Sequence, residues 1–153
     1  MEAATWAFNS MNEQPWRQVI AQKGTPLIDQ LFDTLFPGNQ SWNKKTSTLL
    51  VSIAKTTFAD GTTANGSAMH DMGAANMLLT MQANSMGIFT NLMGGFDRKK
   101  ITDLLPLEAD AVPVVMITLG FADDAGKLDE PFKTSELAPR SRKAFSEIIF
   151  YQP

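Results

Sequence analysis

A cluster of amide and hydroxyl side chains near the start of the chain is the first candidate for chemistry. In AFNSMNEQPWRQVIA, Asn9, Ser10 and Asn12 come just before Pro15 and Trp16, which lead into an apolar, strand-like run. Standing alone, such a cluster is most simply a turn whose side chains hydrogen-bond their own backbone. The alternative is that the cluster binds a polar ligand, and the choice depends on what else the chain offers.

A glycine pair and an arginine pair are the next candidates. Gly94 and Gly95 in NLMGGFD permit a tight turn, and they also let a ligand approach the backbone closely. Arg140 and Arg142 in APRSRK are either surface charge or, together with Lys143, a grip for a phosphate, which the planar guanidinium suits. The chain has no Gly-x-Gly-x-x-Gly and no P-loop pattern, so a bound phosphate has to be held by side chains.

Acid–base and nucleophilic groups are scarce in the rest of the chain. The sequence has no cysteine and one histidine, which excludes disulfides, thiolate catalysis, cysteine metal sites and most serine–histidine arrangements within one chain. His70 is interpreted as a solvent or interface residue, and Asp71 has no second carboxylate at helical spacing. Binding groups without reactive groups favour a cofactor that brings its own reactivity.

Apolar periodicity and turn residues predict the elements that must position these groups. Strands are predicted at 16–21, 46–56, 112–122, the start of 87–97, and, as a closing strand, 147–151. Helices are predicted at 25–36, ended by Pro37-Gly38, at 67–87, after Asp97, and, as the last turns of a helix, at 1–8. Strands and helices mix without strict alternation, which predicts an α+β fold.

The predicted helix at 67–87 is apolar around most of its circumference. Met69, Met72 and Leu79 lie on one side, and Met77 and Met81 lie on another. A helix with this pattern is buried in a large core or under a partner subunit. In a chain of 153 residues the second explanation is favoured, so the sequence predicts a dimer.

Length and charge narrow the remaining classes of protein. A chain of 153 residues is the size of one domain with one core. The net charge of −3, without a basic stripe, predicts no nucleic-acid partner. No apolar run is long enough to span a membrane and no signal peptide is recognisable, so a cytoplasmic protein is expected.

Four segments together resemble the FMN-dependent nitroreductase family. EAATWAFNSMNEQPWRQVIA resembles the segment Glu-Ala-Ala-x-x-Ala-Pro-Ser-Ser-x-Asn-x-Gln-Pro-Trp, and GNQSWNKKTSTLLVSIAKT resembles the next block, which leads into the central strand. DMGAANMLLTMQANSMGIFTNLMGGFD resembles the long dimer helix and glycine turn, and APRSRKAFSEIIF resembles the C-terminal basic turn. The similarity covers essentially the whole chain in the right order.

The resemblance implies a single FMN-binding domain over 1–153 with an α+β flavoprotein fold. Helices would flank a central, mainly antiparallel sheet, and the long helix would be buried in the interface of an intertwined homodimer, with FMN at the subunit interface. The implied activity is an NAD(P)H oxidoreductase. Hydride would pass from NADH or NADPH to flavin N5 and then to a nitroaromatic, quinone or similar small-molecule acceptor, with ping-pong kinetics and no protein nucleophile.

The resemblance also assigns roles to the amide residues. Asn9, Ser10 and Asn12 would contact FMN from the partner subunit, and Asn39 would face the pyrimidine edge of the flavin. Amide donors suit this edge because the reduced flavin is anionic there.

The glycine and arginine pairs receive roles in the same way. Gly94 and Gly95 would bring backbone N–H groups to the flavin, with the Gly94 amide as the donor near N5. Arg140 and Arg142 would hold the phosphate. The resemblance implies no metal and no catalytic side chain.

Two departures from the family pattern leave alternatives open. The family's Pro-Ser-Ser is Phe8-Asn9-Ser10 here, and the chain starts past the family's first helix, whose Arg-Arg-Ser-x-Arg motif contacts the FMN phosphate and ribityl chain. The second hypothesis is therefore a truncated, catalytically weak or inactive dimer with little FMN affinity. A third is a small ligand-binding or interaction module without flavin, which leaves the amides, glycines and arginines unconnected.

Overall fold

The computed structural model describes residues 1–149, whose contacts form two units. The first unit is Met1–Ala122 and contains all the strands of the described residues, and the second begins at Asp123. The expectation of a single domain over 1–153 stays a prediction.

A four-stranded antiparallel sheet organises the first unit, in the order β1-β2-β4-β3. Its strands are β1 (Trp16–Gln22), β2 (Thr48–Lys55), β3 (Phe89–Met93) and β4 (Ala111–Gly120). Each of these lies within two residues of a predicted strand or, for β3, inside the predicted segment. The expected α+β fold with an antiparallel sheet and flanking helices is confirmed.

Strand β2 is buried on both faces, as its nearly continuous apolar sequence predicts. Because successive side chains point to opposite faces, Leu49 and Val51 enter one hydrophobic core while Leu50 and Ala54 enter the other. Strand β4 divides in the same way, with Met116 in the first core and Ile117 in the second. The sheet therefore lies between two layers.

Five helices belong to the first unit. They are α1 (Glu2–Thr5), α2 (Pro26–Phe32), α3 (Pro37–Asn43), α4 (Ala68–Ser85) and α5 (Arg98–Leu104). Buried residues of α2 and α5, together with partly buried Trp42 of α3, pack in the core with Leu49, whereas α1 and α4 pack in the core with Leu50. The predicted cap of α5 is confirmed, because the Asp97 side chain accepts the Lys100 N–H.

The segment after α2 differs from the sequence prediction. Helix α2 ends at Phe32 rather than continuing to residue 36, and Pro37 begins α3 instead of ending α2. Proline fits the first position of a helix because its N–H is not needed there and its φ is already helical. The extra helix matters for the site, since it carries Asn39.

Helix α4 is buried on one face only. Met72, Ala75 and Leu79 pack in the core, whereas Met69 and Met86, expected on the same side, are exposed. Apolar composition alone did not separate the two faces. An exposed stripe, called the methionine stripe below, runs at four-residue intervals along the outer face through Met69, Gly73, Met77 and Met81.

The second unit consists of short helices with mostly exposed side chains. It contains a 3-10 turn (Ala125–Lys127), α6 (Phe132–Leu137) and α7 (Phe145–Ile148). The predicted closing strand at 147–151 is wrong at 147–148, which belong to α7, and positions 150–151 lie outside the described residues. Among residues 1–149, no helix has the length and apolar character to cross a bilayer.

Candidate functional site

The amide turn, defined as residues 9–14, has a strained backbone. A 3-10 turn covers Ser10–Asn12, and three non-glycine residues have left-handed φ angles: Met11 at 52°, Asn12 at 57° and Gln14 at 48°. Left-handed backbone costs an L-residue about 1–2 kcal/mol, with asparagine the best tolerated of the non-glycine types. Such a conformation persists only where surrounding contacts enforce it.

Two side-chain acceptors hold the amide turn in place. Asn9 Oδ1 accepts the Gln14 N–H at 2.9 Å, which closes the turn on itself. Asp71 Oδ2, on α4, accepts the Ser10 N–H at 2.9 Å, although 61 residues separate the two in sequence. Asn9 and Ser10 are half-buried and Asn12 is exposed. The amides therefore do bond their own backbone, as the simplest interpretation expected, and a remote carboxylate holds them as well.

His70 and Phe8 complete the contact between the turn and α4. The rings of Phe8 and His70 are 5.7 Å apart between centroids, and His70 Nδ1 lies 3.0 Å from Asp71 Oδ1. The phenylalanine that replaces the family's proline therefore packs on the helix that supplies the carboxylate. His70 itself is exposed, as the sequence interpretation expected.

The second polar region, called the glycine clasp, joins α3 to the turn after β3. Asn39 Nδ2 donates to the Gly95 carbonyl oxygen at 2.9 Å, and the Phe36 N–H donates to the same oxygen at 3.1 Å. A Cβ atom at Gly95 would lie only 2.8 Å from Asn39 Nδ2, whereas one at Gly94 would meet nothing within 4 Å. A side chain at position 95 would therefore displace the Asn39 amide, and no positive φ calls for glycine there.

The amide turn and the glycine clasp lie at opposite edges of the sheet. The turn leads into edge strand β1, and the clasp follows edge strand β3, with β2 and β4 between them. Three interstrand spacings correspond to roughly 14 Å. The turn is bonded to α4 on one face, while Phe96, beside the clasp, is buried in the core on the other. The structure thus unites Asn39 with Gly95 but not with Asn9, Ser10 or Asn12.

The arginine pair belongs to the second unit. Arg140 and Arg142 are both exposed, and Arg142 Nη1 donates to the Ser141 carbonyl oxygen at 2.7 Å. Neither arginine makes an ion pair within residues 1–149. Both guanidinium groups are therefore available to an anion.

A further charged cluster stands where β2 ends and β4 begins. Lys55 Nζ lies 2.5 Å from Asp110 Oδ1 and also contacts Glu108, and the Thr57 hydroxyl donates to Asp110. The ammonium of Lys55 and then the Thr57 hydroxyl lower the pKa of Asp110, and Asp110 followed by Glu108 raises the pKa of Lys55. Because the charges satisfy one another, the cluster serves to join the two strands rather than to transfer protons.

The described residues offer neither a cluster of metal ligands nor, in one cleft of the first unit, a site for the predicted residues. Over residues 1–149, no three His, Asp or Glu side chains converge as metal ligands would. A cleft of about 250 Å³ lies between Lys23 and Ile28 on one side and Asn43 and Thr46 on the other, and none of the predicted site residues lines it. Its volume is below the usual range of small-molecule sites, roughly 300–1,000 Å³.

Asp71 and Phe36 are the contacts that sequence reasoning missed. Asp71 was set aside because it lacks a second carboxylate, yet it is 2% exposed and bonded to the turn. Its position in the first turn of a helix, beside buried Met72, was the available signal. Phe36 contributes only its backbone N–H, which no side-chain pattern reveals.

The first unit thus combines an antiparallel sheet between two helical layers with a glycine turn that the Asn39 amide binds. The sequence model of the Nitroreductase family matches residues 1–121. The chain belongs to the Nitroreductase family.

Three similar proteins place the chain within that family's fold. A Mycolicibacterium smegmatis protein, described as an uncharacterized 15.4 kDa protein in the ask 5' region, is 28% identical over 132 residues, 84% of this chain and 88% of that protein. A crystal structure described as an oxidoreductase containing FMN is 29% identical with a TM-score of 0.90, over 97% of this chain and 76% of that one. A Staphylococcus epidermidis structure, provisionally described as an NAD(P)H:FMN oxidoreductase, has a TM-score of 0.77 at 18% identity, over 99% and 82% of the two chains. With the family match, these findings make the chain a flavin oxidoreductase in the general sense.

Proposed function

We propose that this protein is an FMN-dependent NAD(P)H oxidoreductase of the nitroreductase type, acting on small electron-poor acceptors such as nitroaromatics or quinones. The observation that carries the proposal is the glycine clasp, in which a side-chain amide fixes a bare backbone turn. The structural neighbour that contains FMN, at 29% identity, supports the choice of cofactor. The provisional description of the Staphylococcus epidermidis neighbour supports a nicotinamide donor.

The chain's own residues would bind and orient the cofactor. Gly94, whose Cβ position is open, would offer its backbone N–H near flavin N5, and Asn39 would fix the turn that presents it while facing the pyrimidine edge. Arg140 and Arg142 would hold the phosphate as charge-assisted donors. When bound, FMN supplies the chemistry, which is hydride transfer from NADH or NADPH and then to the acceptor.

A second copy of the chain would complete the site. Two strands separate the amide turn from the glycine clasp, so Asn9, Ser10 and Asn12 would meet the flavin from a partner subunit. This requires a homodimer with FMN at its interface.

The methionine stripe supports the homodimer. Met77 and Met81 are 59% and 60% exposed on the outer face of α4, and Phe89 and Leu92 of edge strand β3 are also exposed. Large exposed apolar side chains in one row mark an interaction surface more often than a solvated one. Methionine suits such a surface because it is flexible and polarisable.

The proposal is tested by the visible absorption spectrum of the purified chain, recorded before and after FMN is added and the sample desalted. A retained flavin spectrum that bleaches with NADH or NADPH is the expected result. A colourless protein that runs as a dimer would contradict the activity and favour the alternative, a dimer with little FMN affinity.

A single substitution tests whether Arg142 binds the FMN phosphate. Arg142→Ala should weaken FMN binding by roughly tenfold to a hundredfold, the loss of one charge-assisted contact, and should leave the dimer intact. Lys127→Ala is the control, because this lysine is in the same unit but is paired with Asp123 at 2.5 Å. Equal flavin affinity in both variants would remove Arg142 from the site.

The homodimer is tested by a charge placed in the stripe. Met77→Glu together with Met81→Glu should yield a monomer in sedimentation, because a buried unpaired carboxylate is costly. Gln82→Glu is the control, since Gln82 is exposed on α4 but lies off the stripe. A dimer that tolerates both glutamates would place the interface elsewhere.

A further inference from the structure

We propose that Asp71 is a positioning residue for the amide turn, holding Asn9, Ser10 and Asn12 in the conformation that presents them to the flavin. The inference rests on the proposed function, because that function gives the turn its ligand. It adds a residue that has no contact with the cofactor and acts through the Ser10 backbone.

The burial of the carboxylate is the first support. Asp71 is 2% exposed, and among residues 1–149 the side chain paired with it in an ion contact is that of His70, at 3.0 Å. A buried carboxylate is costly unless it is hydrogen-bonded. The Ser10 N–H, at 2.9 Å, supplies such a bond to the other oxygen. The carboxylate and the turn therefore stabilise each other.

The strain of the turn is the second support. Met11, Asn12 and Gln14 are all left-handed, so the segment would relax unless it were held. The Asn9 bond to Gln14 lies within the turn and cannot fix it relative to the fold. The bond from Ser10 to Asp71 ties the first part of the turn to α4, and at its other end Glu13 Oε2 accepts the Ala59 N–H at 3.0 Å.

The position of Asp71 on α4 is the third support. This carboxylate is on the buried side of the helix whose outer side carries the methionine stripe. The helix is 18 residues long, so it is a rigid element on which to mount a binding group. The helix that would dock against a second copy thus also fixes the turn that would reach that copy's flavin.

The experiment measures FMN dissociation constants for Asp71→Asn and Asp71→Ala in the full chain, with Asp103→Ala as control. Asparagine keeps an acceptor but loses the charge, so a rise of about threefold is expected, whereas alanine removes the acceptor and should cause a rise of about tenfold or more. The control removes another paired aspartate, on the exposed face of α5, where Lys99 lies 2.6 Å away. It should leave the affinity unchanged.

Hydrogen exchange in the flavin-free protein provides a second readout. The Ser10 amide should exchange faster in the order wild type, Asp71→Asn, Asp71→Ala, while the amides of β2 (Thr48–Lys55) and the oligomeric state stay as in wild type. A general loss of stability would instead accelerate both regions. If the alanine variant does not fold, the asparagine variant decides by the same two measurements.

The proposal is overturned if Asp71→Asn and Asp71→Ala match the control in affinity, or if Ser10 exchange is unaltered. The proposed function fails separately, when the wild-type chain binds no FMN at all. In that event the exchange order still decides whether Asp71 holds the turn.

Discussion

The amide turn places three non-glycine residues in left-handed backbone, whereas the two glycines of the glycine clasp have no left-handed φ. The turn is held in a costly conformation by acceptors on Asn9 and Asp71. The clasp needs no unusual backbone and relies on the absence of a Cβ atom at Gly95. Hydrogen bonds therefore hold the amide turn against its backbone strain, whereas the close approach of Asn39 to Gly95 fixes the glycine clasp.

This difference teaches which kind of site a sequence reveals. In the clasp the residue type is itself the signal, because glycine leaves room for the Asn39 amide beside the backbone. In the turn the residue types are unremarkable for left-handed backbone, apart from Asn12. The group that holds the turn lies on another element, where it reads as an ordinary helical aspartate.

The largest expected effect comes from filling the clasp. Gly95→Ala should lower the free energy of unfolding of the flavin-free protein by up to about 1.5 kcal/mol, because the new Cβ would displace the Asn39 amide from its hydrogen bond to the Gly95 oxygen. Urea unfolding measures the change. Gly94→Ala is the matched control and should stay within about 0.5 kcal/mol of wild type, since its Cβ meets nothing. Equal effects at 94 and 95 would mean that close approach does not define the clasp.

A double variant sharpens the same point. Asn39→Ala alone should cost about 1 kcal/mol through its lost hydrogen bond to the Gly95 oxygen. In the pair Asn39→Ala with Gly95→Ala, the clash is gone, so the combined loss should be smaller than the sum of the single losses. The double-mutant cycle is measured by urea unfolding. If the two single losses simply add, Asn39 and the residue at position 95 do not interact.

The strain of the amide turn is tested at Met11, whose side chain is 83% exposed. Met11→Gly should be more stable than Met11→Ala by about 1 kcal/mol, because glycine adopts left-handed backbone without a Cβ penalty. At Lys100, in helix α5, the order should reverse, with alanine about 1 kcal/mol better than glycine. Thermal or urea unfolding of the four variants measures both differences. If alanine is the more stable residue at both positions, the backbone at Met11 is not strained.

The smallest effect concerns a loop in which a carboxylate of the loop itself, Asp60, accepts backbone N–H groups as the Asn9 carboxamide does in the amide turn. Asp60 accepts the Thr62 and Thr63 backbone N–H groups at 2.8 Å, and the Thr63 hydroxyl, followed by these backbone groups, lowers the pKa of Asp60 to about 2. Because this pKa is below the ordinary 3.8, the contribution to stability is complete above the ordinary value and is lost as the pH falls through about 2.

The measurement is the melting temperature of wild type relative to Asp60→Asn. Their difference should shrink between pH 5 and pH 2, as the wild-type carboxyl is protonated. Asn9→Ala should show no such pH dependence, because the Asn9 acceptor is a carboxamide. A constant offset for Asp60→Asn across this range would mean that the charge is irrelevant to the loop.

Most of the sheet could be predicted from the sequence because its strands have strong local signals. The run TLLVSIAK is β-branched and apolar, and it became the doubly buried β2. Helix α3 escaped prediction because Pro37-Gly38 indicates both the end of one helix and the start of another. The segment at 147–148 failed for a different reason, since a short apolar run fits either a strand or a helix.

The candidate site was predictable only in part. Residue types pointed to Gly94 and Gly95, the family resemblance pointed to Asn39, and the structure unites Asn39 with Gly95. The choice of Asp71 as acceptor depends on how α1 and α4 pack across 61 residues of sequence, which no local pattern encodes. The sequence also did not reveal which face of α4 is exposed, because methionine and alanine occur on both sides of the helix.

The strand order has a consequence for how the chain is made. Strand β4 pairs with both β2 and β3, yet it is the last of the four strands in the sequence. The ribosome therefore synthesises it after both of its neighbours. Until Ala111–Gly120 has emerged, the β1–β2 pair exposes an apolar edge on β2, and β3 has no partner in the sheet. The nascent chain is therefore open to aggregation and to chaperone capture over this interval, and arrival of β4 closes both edges in one event.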